Sequence, residues 1–333
     1  MSRKKIILIT GSSGEIGHNL INHFNQNDSA AIISLDLNPI NDSINVHKHI
    51  TGSILDKKLL ENINQEFKID EIYHLAAMLS TKAEENPIAS NEVNVNGTIN
   101  LIDLSIKQII DNNSPVKFFF PSSIAVYGLD INANKGPIKE NEYLNPKTIY
   151  GMNKLYCEEL GNYFMKNYHK TSNKLTNGLF DFRSIRFPGL ISVNTMPTGG
   201  TSDYLPEMLH SAAQKKDYTC FVRPDSQLPF MVMPDAIEAI IKLMQADKTQ
   251  LNKIIYNISS FNPSVDDFFK KLVSYYKDFK VTYDINNQRQ EMIDGWPSSV
   301  DVSRASYDWE WSPKYDFEKA FSEYFIPYLK KVY

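Results

Sequence analysis

Tyr150 and Lys154 stand four residues apart in Tyr150-Gly151-Met152-Asn153-Lys154, and Ser122-Ser123 lies shortly upstream. A tyrosine and a lysine at that spacing share one helical face. On a face turned toward a nucleotide, the ammonium favours the phenolate and lowers the tyrosine from its usual pKa of about 10 toward working pH. A hydroxyl such as that of Ser123 then holds a substrate alcohol while the phenolate removes its proton. Spacing alone does not establish this chemistry. Tyr143/Lys147, Tyr276/Lys280 and Tyr315/Lys319 repeat it, and the ordinary reading of such a pair is an exposed helix face. The elements around the pair must decide.

The first 190 residues alternate short apolar runs with helical patterns, as βαβ units of a parallel sheet do. Strands are predicted at 5–10, 31–36, 46–50, 71–76, 116–121 and 181–187. Val95, Ile99, Ile102, Ile106 and Ile109 recur at intervals of three and four, which predicts a helix with one face on the sheet. The Asn/Lys-rich stretch 169–178 reads as an exposed loop. Beyond Gly189 the texture changes. Pro197, Gly199 and Gly200 break the chain, a helix is expected near 203–215, and Tyr218–Val222 reads as a strand. Residues 229–259 resemble a further strand–helix–strand passage returning to the main sheet. The fold expected is α/β, a Rossmann-type doubly wound parallel sheet with a smaller C-terminal α+β lobe. Residues 1–190 with 229–259 form the nucleotide domain, and 191–228 with 260–333 form a substrate lobe closing over a cleft.

Thr10-Gly11-Ser12-Ser13-Gly14-Glu15-Ile16-Gly17 follows the first predicted strand and opens a helix. GxxGxxG is a variant of the dinucleotide fingerprint, in which glycines allow the tight turn and the close approach of backbone to pyrophosphate. The helix N-terminus then offers N–H donors to the anion, so Gly11, Ser13, Gly14, Glu15 and Ile16 are candidate cofactor contacts. Asp36 ends the second predicted strand, where a carboxylate accepts from a ribose diol and repels a 2′-phosphate. Leu37-Asn38-Pro39-Ile40 supplies no cation to offset it, so NAD is favoured over NADP. Leu55 and Asp56 after the third strand, and Leu75, Ala76 and Ala77 after the fourth, sit where the adenine and the cofactor backbone should pass.

The 333 residues suffice for a sizeable core and more than one domain. A net charge of −4 with scattered lysines gives no support for a nucleic-acid surface. The apolar run Ile6–Ile9 is too short for a membrane span. The two cysteines, Cys157 and Cys220, form no CxxC and read as reduced structural thiols of a cytoplasmic protein, although a trimmed mitochondrial form would look the same. His47 and His49 lie close together without further ligands in reach, so no metal site is expected.

With the glycine loop, Asp36, Ser123, Tyr150 and Lys154 in this order, the chain resembles the extended short-chain dehydrogenases/reductases. Three further segments narrow the resemblance: His74-Leu75-Ala76-Ala77-Met78-Leu79-Ser80, Arg186-Phe187-Pro188-Gly189-Leu190-Ile191-Ser192 and Pro197-Thr198-Gly199-Gly200-Thr201-Ser202-Asp203-Tyr204. Together with Trp296-Pro297-Ser298-Ser299 they look like the short-chain type of L-threonine 3-dehydrogenase, over residues 5 to about 316. The resemblance implies NAD-dependent oxidation of L-threonine to L-2-amino-3-oxobutyrate. That product decarboxylates to aminoacetone or is cleaved by a 2-amino-3-oxobutyrate CoA ligase, a functional partner. It further implies Tyr150 as acid/base, Lys154 as its tuner and a ligand of the nicotinamide ribose, and Ser123 as the residue positioning the hydroxyl. Leu190 joins the cofactor contacts, and Ser80, Gly200, Thr201, Ser202 and Trp296 the substrate contacts. A homodimer through helices near 91–110 and 150–168 is implied as well. Two positions depart from the family: Ser202 replaces a threonine, and Val232 in Phe230-Met231-Val232-Met233 replaces a tyrosine.

The 199–203 loop is expected to receive the substrate carboxylate through backbone N–H groups and hydroxyls at a helix start, while a plain N-cap uses the same residue types. Two other functions compete. A UDP-sugar 4-epimerase or dehydratase with tightly bound NAD usually carries an asparagine where this chain has Gly189. A non-catalytic NAD-sensing scaffold predicts decay of the Ser/Tyr/Lys set, and all three residues are present.

Overall fold

The computed structural model describes residues 3–27, 30–41, 44–130, 136–171, 178–197 and 199–333. A seven-stranded parallel sheet organises it: β1 (Lys5–Thr10), β2 (Ala30–Asp36), β3 (Lys48–Thr51), β4 (Glu71–His74), β5 (Val116–Ser123), β6 (Phe180–Phe187) and a last strand, Ile255–Asn257. In the sheet the order runs from Ile255–Asn257 through β6, β5, β4, β1 and β2 to β3. The chain moves outward from β1 through β2 to β3 and then crosses to β4 on the other side of β1. The switch point therefore lies between the C-terminal ends of β1 and β4, where open α/β sheets bind their ligands. In the register Thr10 pairs with both Leu35 and His74.

Helices α1 (Glu15–Gln26), α2 (Lys57–Glu66), α3 (Ser80–Glu85), α4 (Pro87–Asn91), α5 (Gly97–Asn112) and α6 (Ile149–Lys166) connect these strands. The apolar stripe of α5 is realised, with Ile102, Ile106 and Ile109 buried against Leu8, Ile72, Phe118 and Phe120. Between α4 and α5 the helical turn widens into a π segment, Glu92–Asn96. The strand ends differ from expectation by a few residues: β4 stops at His74 rather than residue 76, and β5 continues to Ser123. Within the expected loop 169–178, a one-turn helix α7 (Tyr168–Thr171) closes on α6, and residues 172–177 lie outside the described residues.

The chain divides into two compact units: Met1–Ser122, Met152–Ile185 and Ile240–Ile255 in the first, and Ser123–Gly151, Arg186–Ala239 and Tyr256–Tyr333 in the second. The dividing points fall elsewhere than the sequence suggested, since residues 123–151 belong with the second unit. Buried cations explain why 240–255 belongs with the first. Arg183, 1% exposed, pairs with Asp181 at 2.7 Å. It also donates to Ala246 O at 2.8 Å, while Lys117 Nζ donates to Met244 O at 2.6 Å. Cations on the last carbonyls of a helix oppose its dipole.

In the second unit β7 (Gly189–Ile191) pairs with β9 (Phe230–Val232), and β8 (Tyr218–Cys220) pairs with β11 (Val281–Tyr283); the last main-sheet strand, Ile255–Asn257, is β10. The passage 229–259 therefore returns to the main sheet only through β10. Helices α8 (Tyr204–Ala213), α9 (Met233–Gln245), α10 (Val265–Tyr275) and α11 (Asn287–Asp294) complete the parts used below. Val232 pairs with Ile191 and is wholly buried, so an aliphatic side chain there fills core. No helix among the described residues is long and apolar enough to cross a membrane.

Candidate functional site

At the end of β1 the chain turns through Gly11 at φ +68°, a conformation that favours glycine. A Cβ at Gly11 would lie 2.6 Å from Ala76 N and 2.8 Å from Leu75 C, so the glycine lets the loop touch the end of β4. Gly14 is the N-cap of α1 and makes no side-chain cap, the kind of helix N-terminus that receives anions. Buried Ser12 Oγ has no hydrogen-bond partner among the described residues. A dinucleotide fits this cradle on each count. Asp36 holds the loop in shape, accepting from Ser13 N at 3.0 Å and Asn38 N at 2.9 Å. A carboxylate has about four acceptor positions, so Asp36 retains capacity for a ribose diol. Glu15 and Ile16 open α1, half-buried. Leu55 is half-buried, and Asp56 caps α2 by accepting from Lys58 N and Leu59 N at 3.0 Å. Ser80 begins α3.

His74, which the sequence reading left without a role, ties these parts together. Thr98 Oγ1 donates its single proton to Asn94 O at 2.6 Å. It must therefore accept from His74 Nε2 at 3.0 Å, and His74 Nδ1 accepts from Thr10 Oγ1 at 2.9 Å. Thr10 Oγ1 in turn accepts from Ala76 N at 3.4 Å. Burial and the nearby Lys154 ammonium draw His74 down to about 3, so the imidazole is neutral and its tautomer is set by the chain of donors. Asn94 O, within the π segment, also accepts from Cys157 Sγ on α6 at 3.4 Å. A histidine at the C-terminal end of β4 was the available signal.

Lys154 is 4% exposed. Its ammonium donates to Pro121 O at 2.6 Å and lies 4.7 Å from the centre of the Phe120 ring. Burial lowers it to about 8, opposed by the Cys157 and Glu158 charges. Tyr150 lies one turn before it on the same helix, and burial pushes the phenol up to about 12. The fall anticipated from the lysine is thus reversed in the protein alone, because desolvation dominates both groups.

Ser123 ends β5 and caps the 3-10 turn Ile124–Val126, its Oγ accepting from Ala125 N at 3.1 Å. That turn is brought to the start of α6 by Gly151. A Cβ on Gly151 would sit 2.0 Å from Ala125 O and 2.8 Å from Ala125 C. Glycine beside Tyr150 is therefore the condition for placing the tyrosine's helix against the serine's turn.

The 199–203 loop differs from both sequence readings. Asp203 makes no side-chain cap on α8. Its carboxylate turns back to accept from Gly199 N at 3.0 Å and Gly200 N at 2.6 Å. The two glycine N–H groups expected to hold a substrate carboxylate are thus already engaged by an anion. Thr201 is buried, with Oγ1 3.8 Å from Met292 Sδ on α11. Thr198 lies outside the described residues. Trp296 follows α11, 4% exposed, and its indole N–H has no partner among the described residues. Leu190 lies in β7, half-buried.

Residues 7–259 match the NAD dependent epimerase/dehydratase family. An uncharacterized epimerase/dehydratase of Staphylococcus saprophyticus is 32% identical over 316 residues, 94% of this chain and 93% of its own length. The mitochondrial L-threonine 3-dehydrogenase of Bos taurus is 30% identical over 314 residues, 94% of this chain and 79% of its own. Among solved structures, a monomeric L-threonine 3-dehydrogenase from a metagenome, in its apo form, superposes with a TM-score of 0.86 at 37% identity, covering 98% of this chain and 99% of that one. The cradle at Gly11, the acid at Asp36 and this breadth of similarity lead to one conclusion: the chain belongs to the NAD dependent epimerase/dehydratase family, with NAD as its cofactor.

Proposed function

We propose that this chain oxidises the β-hydroxyl of L-threonine, giving L-2-amino-3-oxobutyrate. The observation that carries the reading is the seating of Tyr150 beside the Ser123 turn through Gly151, with Lys154 one helical turn further on. Ser123 Oγ holds the hydroxyl, and Tyr150 takes its proton. When bound, NAD supplies the hydride acceptor and a positive ring charge that favours the Tyr150 phenolate. Lys154, one helical turn further on, tunes the phenol and binds the nicotinamide ribose. Gly11, Ser13, Gly14, Glu15, Ile16, Asp36, Leu55, Asp56, Leu75, Ala76, Ala77 and Leu190 hold the cofactor in this reading. Ser80, Thr201, Ser202 and Trp296 receive the amino acid, while Gly200, whose N–H is held by Asp203, shapes the loop that carries them. Names borne by the bovine and metagenomic relatives support threonine over a UDP-sugar. NAD reduction assayed across L-threonine, D-threonine, L-serine and UDP-sugars tests the assignment.

We also propose a cytoplasmic homodimer whose product passes to a 2-amino-3-oxobutyrate CoA ligase. Met152, Tyr156 and Tyr163 on α6 are 49%, 52% and 42% exposed, spaced to form one apolar face. Light scattering at micromolar concentration should return twice the chain mass; the monomer mass, matching the metagenomic relative's description, would refute the dimer. Both cysteines are buried free thiols, in keeping with a reducing compartment.

A further inference from the structure

We propose that Arg289 is a positioning residue for the 199–201 loop and thereby sets the enzyme's affinity for its amino-acid substrate; the affinity part rests on the threonine reading above. Arg289 lies on α11, and its guanidinium sits 4.4 Å from the centre of the Phe221 ring. From that seat Nη2 donates to Gly199 O at 3.3 Å. Its charge also acts on the Glu207 carboxylate, and Gly199 O is its hydrogen-bonded partner. The opposite side of the same backbone is held by a charge of the other sign, Asp203 Oδ2 accepting from Gly199 N and Gly200 N.

The peptide groups around Gly199 thus lie between a guanidinium and a carboxylate, and each charge polarises the hydrogen bond made by the other. Gly199 is at φ +91°, a conformation the clamp maintains and that other residues adopt only with strain. The same face of α11 continues to Met292, which contacts Thr201, and to Trp296 just beyond the helix. Positions 289 and 292 follow the i, i+3 spacing of one helical face, and Trp296 lies two residues past the helix's last residue, Asp294. Arg289 therefore fixes the near end of a strip whose far end carries two proposed substrate contacts.

The test uses the NAD-bound enzyme with R289Q and R289K. Hydrogen exchange of the Gly199 and Gly200 amides should be roughly tenfold faster in R289Q, because the clamp loses its charged donor. KM for L-threonine should rise about tenfold, or about 1.4 kcal/mol, with kcat within about twofold and NAD affinity unchanged. R289K can still reach Gly199 O without the planar seat on Phe221, so it should recover part of the loss. Unchanged exchange in R289Q overturns the clamp whatever the enzyme's substrate proves to be. Faster exchange with an unchanged threonine KM, or equal losses of kcat, NAD affinity and melting temperature, overturns its role in substrate affinity. A wild-type enzyme that does not oxidise threonine refutes the threonine reading and with it the affinity claim, and the exchange result then decides the clamp alone.

Discussion

Replacing Lys154 with methionine removes a buried ammonium while keeping the length of the side chain, and the effect on stability should depend on pH in a defined direction. Burial draws Lys154 from 10.5 to about 8. Below the lower value the lysine is charged in both the folded and the unfolded chain, and the folded state bears the desolvation cost. Between the two values the unfolded chain holds a proton that the folded chain has released, so stability rises with pH. Above the higher value both are neutral and the cost is gone. At 1.36 kcal/mol for each tenfold change in proton activity, the interval amounts to roughly 3 kcal/mol. Methionine has no such term. Urea unfolding of wild type and Lys154→Met at about pH 7 and about pH 10 should therefore show the difference moving in favour of wild type by roughly 3 kcal/mol as pH rises. Tyr150 and Cys157, held up to about 12 and about 11 by burial, are present in both proteins and largely cancel. A difference that stays flat, or moves toward the mutant, would refute the placement of a charged Lys154 in a desolvated site.

Tyr150→Phe should bind NAD with wild-type affinity and lose turnover by about two to four orders of magnitude, read by fluorescence titration and initial rates. Gly151→Ala places a methyl 2.0 Å from Ala125 O, so the start of α6 must move off the Ser123 turn. A shift of about 1 Å costs on the order of a hundredfold in kcat, and an unchanged kcat would contradict the proposed pairing.

The nucleotide half was legible because its signals are local. Glycine spacing, an apolar strand before it and an acid at the end of β2 suffice to place Gly11, Gly14 and Asp36, and a period of three to four residues suffices for α5. What escaped the sequence depends on contacts between residues far apart in the chain. Nothing near Asp203 indicates that its carboxylate turns back to the glycines rather than capping α8. Nothing near Lys154 indicates that Pro121 O, 33 residues earlier, receives its ammonium. The direction of the Tyr150 pKa shift was misjudged for the same reason, because its pairing with Lys154 is visible as spacing whereas burial is not. Arg289 carried a faint signal in its spacing from Met292 and Trp296, interpretable only once the 199–201 loop lies along that helix face. The passage 229–259 was read as one returning unit because two strands flank a helix, but β9 finds its partner in β7.

The most direct test of the account is the initial rate of NADH formation by the wild-type enzyme with NAD and L-threonine, compared with D-threonine, L-serine and UDP-galactose under the same conditions. Steady, multiple-turnover release of NADH with L-threonine, and none with UDP-galactose, is the predicted result. Conversion of UDP-galactose without released NADH, together with no response to L-threonine, would contradict it and assign the Tyr150 site to sugar-nucleotide epimerisation.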